Sequence, residues 1–154
     1  MLAMSSFDLL VHDVIKIGVE FRVSNSRPLR NIRISSNCID EDGRVNPAAV
    51  REDIREQNSY KSFMDPGKLA EGLSPFVSEP WNKISNVAGD DPQVLKDQLR
   101  LYSGWRNRIV HEADINPDMA GINLFSIAGE DVEGLLSFME HLGECLCSIV
   151  RSES

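Results

Sequence analysis

"DDPQVLKDQLRLYSGWRNRIVHEAD", at residues 90–114, is the stretch whose periodicity decides the class of the fold. It opens on two acids and a proline, which suits the first turn of a helix: carboxylates favour the positive end of the helix dipole, and proline lacks only a donor that would go unused there. Leu95, Leu99, Tyr102, Trp105 and Ile109 then recur at spacings of three and four, one apolar stripe on a 3.6-residue period.

The same reading extends outward. "SSFDLLVHDVIKIGVEFRV" offers a serine N-cap and inward positions Phe7, Leu10, Val11, Val14, Ile15 and Phe21, and predicts a first helix. "PAAVREDIREQN" from Pro47 predicts a second, and "DPGKLAEGLSPF" and "EPWNKISNVAG" two short ones separated by Ser-Pro and Glu-Pro breaks. "INPDMAGINLF" interrupts the pattern. A last helix is expected from about Gly129 to Val150, with Val132, Leu135, Leu136, Met139, Leu142 and Leu146 inward. "SNSRPLRNIRISSNCIDEDGRVNP" lies between the first two helices and reads as a long loop with one short extended piece near Ile32 to Ile34. The expected architecture is therefore all-α: a small helical bundle with a long N-terminal inter-helix loop, one domain spanning residues 1–154.

Composition excludes several classes. Hydrophobic residues make up 42% and charged residues 26%, ordinary for a globular chain. No apolar run approaches the roughly 20 residues that cross a bilayer, and the first ten residues lack the basic start and apolar run of a signal peptide, so no membrane association is expected. Cys38, Cys145 and Cys147 form no disulfide framework, which points to reduced thiols and a cytoplasmic setting. The net charge of -8 lies entirely after His111, since the acids and bases before it balance. An acidic chain binds a polyanion only through a local basic site, because phosphate affinity comes from cationic contacts. Arg22, Arg27, Arg30 and Arg33 fall in one acid-free run and are the best such contacts outside the 104–114 stretch, although a solvated loop is the simpler account.

The functional candidate is the end of the 90–114 helix. At about 100° per residue with Tyr102 at zero, His111 falls at about 180°, Asn107 at about 140°, Arg100 at about 160° and Gly104 at about 200°. Those four share a polar face, opened by the absent side chain of Gly104. Arg106 is the misfit, at about 40° beside the apolar stripe. A guanidinium there must snorkel, pair, or meet another chain. Arg106 and His111 are about 140° apart, so a second copy of the helix would complete one site more naturally than a single chain does.

Arg106-Asn107-x-x-x-His111 fits the R-x4-6-H motif, with a polar residue after the arginine, of HEPN-domain proteins. The neighbourhood, "PWNKISNVAG" followed by "VLKDQLRLYSGWRNRIVHEADINP", resembles the HEPN branch associated with RiboL-PSP-type proteins over residues 75–118. One departure is Trp105, where similar proteins often carry a second arginine. The resemblance implies a helical bundle that dimerises so that both motif helices line one cleft. It implies metal-independent RNA cleavage of the kind found in toxin, anti-phage and stress systems, with no cofactor and with a regulatory or antitoxin protein as a further partner. Arg106, Asn107 and His111 are then the catalytic residues, with Arg100 and Arg108 as RNA contacts. The alternative is a non-catalytic HEPN module that binds nucleic acid, a nucleotide or a partner protein.

Plainer readings stand beside these. Arg106 and His111 near a helix end also suit a capping and salt-bridge cluster with Glu112 and Asp114. His141 and Cys145 have no second ligand pair and read as helix residues rather than half a metal site. His12 reads as a packed histidine, and Trp81 and Trp105 as core anchors. No nucleophile elbow or phosphate loop is present, so small-molecule hydrolysis has no support.

Overall fold

A computed structural model describes residues 2–113 and 128–153, with side chains described for residues 2–109 and 128–153. Among them are six helices and no strand: α1 (Leu2–Ser24), α2 (Pro47–Asn58), α3 (Pro66–Leu73), α4 (Pro80–Ala88), α5 (Pro92–Ala113) and α6 (Gly129–Glu153). The all-α bundle with its long connection between α1 and α2 is as the periodicity predicts. The expected break over "INPDMAGINLF" lies outside the described residues.

Four helices begin with the same two-residue grammar. Asn46-Pro47, Asp65-Pro66, Glu79-Pro80 and Asp91-Pro92 each place proline in the first turn. Asn46 accepts from the backbone N–H of Ala48 and Ala49, and Asp65 from Gly67 and Lys68. Asp91 accepts from Gln93 at 2.7 Å, so three of the four satisfy donors that the helix leaves unused.

α1 is packed by α2, α3 and α6, while α4 packs on α5 and α6. The core is shared by Phe7, Val11, Ile15 and Val19 of α1, Leu95, Leu99 and Tyr102 of α5, and Leu135, Met139, Leu142 and Leu146 of α6. Two glycines allow close approach: a Cβ on Gly18 would lie 2.5 Å from the Phe76 ring, and one on Gly72 2.5 Å from Ile15 Cδ1. Trp81 is a core anchor, as read, with its indole N–H donated to the Pro66 carbonyl at 2.9 Å.

Some sequence expectations give way. α1 starts at Leu2, so the serines expected to cap it lie inside the helix. Ile32 to Ile34 form no strand; the loop is instead organised by a 3-10 turn at Ser36–Cys38 and a single β-bridge between Ile39 and Val45. On α6, Val132 and Leu136 are 44% and 48% exposed. Four residues apart, they form a flanking stripe at the edge of the buried Leu135, Phe138 and Met139 face, where Leu136 lines an open groove with Ala3, Phe7 and Leu10 of α1. Leu10 and Phe21 of α1 are half-buried for the same reason, each lying at the edge of the buried stripe.

Candidate functional site

α5 runs without interruption from Pro92 to Ala113, so Arg106, Asn107 and His111 all have helical backbone. The first half of the helix is fixed by the burial of Leu95 and Leu99. Tyr102 then meets Trp105 edge-on with ring centroids 5.0 Å apart and tilts against Phe138 of α6 at 5.4 Å. Burial raises the Tyr102 phenol above its usual range, with the Asp131 carboxylate adding to the effect. This aromatic trio anchors the helix one turn before the motif, and Trp105, half-buried within it, serves the core role read from the sequence.

Arg106 sits beside the apolar stripe, as the wheel places it, and is half-buried. Its Nη1 donates to Ser62 Oγ at 3.2 Å. Ser62 belongs to the short link between α2 and α3, so the awkward position of Arg106 is resolved inside one chain. Among the described residues Arg106 forms no ion pair, and its partner is a neutral hydroxyl.

The same link is held from the other side by α1. His12 Nε2 lies 3.1 Å from the Lys61 carbonyl, which can only accept, so Nε2 carries the proton. The imidazole meets the Phe63 ring edge-on at 4.8 Å, and Asp8 Oδ1 accepts from the Phe63 backbone N–H at 2.7 Å. Residues 61–63 are thus clamped between Asp8 and His12 on α1 and Arg106 on α5. His12 is the packed histidine expected. Asp8 stands four residues before it on α1, a spacing that places both on one face, which reading by apolar stripe passes over.

Of the four positions placed on the polar face, Arg100, Gly104 and Asn107 are exposed along α5, as is Arg108. Arg100 is paired with Asp97 at 2.7 Å, and hydrogen bonds from Gln93 and then Arg100 hold the Asp97 carboxyl below its usual range. A Cβ on Gly104 would meet nothing within 4 Å among the described residues. The side chains of His111 and Glu112, and the whole of Asp114, lie outside the described residues, and with them the capping-cluster reading.

The basic run from the last turn of α1 into the loop does not form one cationic surface. Arg22 Nη2 donates to the Phe76 carbonyl at 2.8 Å and to Glu153 Oε2 at 3.1 Å, and Arg27 donates to the Glu153 carbonyl at 3.1 Å. Lys83 pairs with the same Glu153 carboxylate. Two of the four arginines therefore fasten the end of α6, while Arg30 and Arg33 remain exposed. On α6, His141 is exposed and Cys145 is buried, with burial pushing the thiol up from its usual range. No described helix is long and apolar enough to cross a membrane.

Comparison with family models, with curated proteins and with solved structures finds no match to this chain.

Proposed function

We propose that the chain is a HEPN-type endoribonuclease that cuts RNA as a homodimer without a metal ion. A ribose 2′-hydroxyl attacks the adjacent phosphorus while the bond to the 5′-oxygen breaks, leaving a 2′,3′-cyclic phosphate and a 5′-hydroxyl. The proton leaving the 2′-hydroxyl and the proton reaching the 5′-oxygen are moved by His111, whose type titrates near neutrality, with Asn107 one turn earlier to orient it. Arg106 holds the phosphate and stabilises the negative charge that develops on it.

The observation that carries this reading is the state of Arg106. Among the described residues the half-buried guanidinium is held by the hydroxyl of Ser62 and its charge is not cancelled by an acid. A phosphate oxygen is a stronger acceptor for it than a neutral hydroxyl. With Arg106 accounted for within its own chain, the homodimer rests on the separation of about 140° between it and His111 on one helix. The toxin, anti-phage or stress setting, the cytoplasmic location and a regulatory or antitoxin partner rest on the resemblance alone.

The test is a mixed RNA pool incubated with purified protein, with and without chelator. Cutting is expected in both, with cyclic-phosphate ends, and His111→Ala should slow it about 10²- to 10⁴-fold. Intact RNA in both conditions, or equal cutting by His111→Ala, would overturn the proposal. One observation favours a second reading, a non-catalytic module that binds nucleic acid, a nucleotide or a partner: the bond from Arg106 to Ser62 is also what a purely structural arginine would make. RNA bound but left whole is the outcome that reading expects.

A further inference from the structure

The starts of α1 and α6 leave an apolar groove open between them. It holds about 240 Å³ between Ala3, Phe7 and Leu10 of α1 and Leu136 and Met139 of α6, and among the described residues Glu140 is the one charged side chain on its walls. Leu2, next in the chain to Ala3, is 85% exposed, and Val132, one turn before Leu136, is exposed as well. The two helices run parallel, since Arg22 near the end of α1 meets Glu153 at the end of α6. They approach closely at Gly143, where a Cβ would lie 2.9 Å from Leu10 Cδ2. Val132 to Gly143 spans about 16 Å of helix at about 1.5 Å per residue, or roughly three turns. An apolar strip of that length suits a partner helix laid along it, the mode in which amphipathic helices dock in grooves.

Charge selects the helix. Glu133, Glu140 and Glu144 stand within about 80° of Leu136 on its outward side. All three are exposed and form no ion pair among the described residues. From Gly129 to Val150, α6 carries five acids and neither lysine nor arginine. Both cations of α1 are already taken, Lys16 by Asp13 at 2.6 Å and Arg22 by Glu153. A second copy docking by the same face would set its own acids against these, so like charges oppose it. A basic helix instead gains attraction along the acidic row while its apolar side covers Leu10 and Leu136. We infer that this groove docks a basic amphipathic helix of a partner protein, with apolar side chains at i, i+3 or i+4 and i+7 against Leu10 and Leu136, and lysine or arginine beside Glu133, Glu140 and Glu144. The inference goes beyond RNA cutting and does not require it.

The test is fluorescence anisotropy with the full chain and a labelled peptide of about 14 residues, in which leucine recurs at helical spacing and lysine fills the other positions. Two controls share its length: one keeps the leucines and replaces lysine with glutamine, and the other shuffles leucine and lysine so that no stripe remains. The Leu/Lys helix should bind saturably, about tenfold or more tighter than either control, and more weakly as salt is raised. Leu136→Lys should lose about tenfold or more of that affinity, and Glu140→Lys about threefold or more. Both positions are exposed, so both variants should melt with the parent. Glu41→Lys, in the loop before α2, should bind as the parent does, and sedimentation should give Leu136→Lys the same mass as the parent. No saturable binding, equal binding of a control peptide, or unchanged affinity in both groove variants would overturn the inference. So would a parent dimer that Leu136→Lys takes apart, since the occupant would then be a second copy. The peptide measurements involve no RNA, so RNA cutting stands or falls separately.

Discussion

Two half-buried arginines, at opposite ends of the bundle, join distant helices in different ways. Arg22 on α1 is matched by an acid: its Nη2 bonds the Phe76 carbonyl and the Glu153 carboxylate, its side chain is 15% exposed, and Lys83 shares the same acid, while its buried Nε has no partner among the described residues. Arg106 on α5 meets a hydroxyl and nothing charged among the described residues. A charge taken partly out of water is normally matched with an opposite one. Where it is matched, the arginine belongs to the fold. Where it is not, the protein keeps a positioned charge that a phosphate can use. The difference separates a structural cation from a candidate functional one without appeal to position in the sequence.

The contrast breaks most easily at Arg106. Arg106→Ala should lower RNA cutting about 10²- to 10³-fold, the usual cost of losing one donor to developing charge, while reducing stability by about 1 kcal/mol or less. Paired rate and melting measurements check it. A large fall in melting temperature with cutting unchanged would make Arg106 a tie of the Arg22 kind. Arg22→Ala should do the reverse. It leaves Glu153 with Lys83 but frees the Phe76 carbonyl, and should cost about 2 kcal/mol, or about 4–8 °C in a chain of this size. Cutting measured well below the melting temperature should be unaffected, and a proportionate loss of rate would erase the distinction.

Little of that distinction was legible in the sequence, although most of the bundle was. The helices announce themselves locally: Asn46-Pro47, Asp65-Pro66 and Asp91-Pro92 cap and open their own helices, and Leu95, Leu99 and Tyr102 are buried as their spacing requires. Periodicity gives a face to within about one residue's arc, so it overreached at Val132 and Leu136, where the partner helices do not cover the edge of the stripe. The angular place of Arg106 beside the stripe was also legible. Its partner was not, because Ser62 is 44 residues away and only tertiary packing brings it close. Arg22, Arg27, Arg30 and Arg33 read as one basic run because their sequence is continuous, yet Glu153 draws two of them away from 126 or more residues along the chain.

Asp53 carries the comparison to an anion, and to the smallest effect expected. Like Arg106 it is held by neutral groups: its carboxylate accepts from the Ser35 N–H at 2.9 Å, from the Ser35 hydroxyl at 2.5 Å and from Gln57 Nε2 at 2.9 Å, fixing the long loop to α2. Partial burial pushes its pKa up, but the Ser35 and Gln57 hydrogen bonds outweigh that and leave it below the usual range. A carboxyl whose folded pKa is depressed stabilises the fold above its unfolded value, near 4, and loses that contribution as pH falls through the folded value. The stability difference between the native chain and Asp53→Asn should therefore be largest near pH 6 and shrink on acidification below about pH 4. Denaturant melts at pH 6 and pH 3 measure it. An equal difference at both would mean that the charge of Asp53 does nothing its shape does not. In that case a lone charge among neutral partners would no longer mark a functional group in this fold, and Arg106 would lose the argument that sets it apart from Arg22.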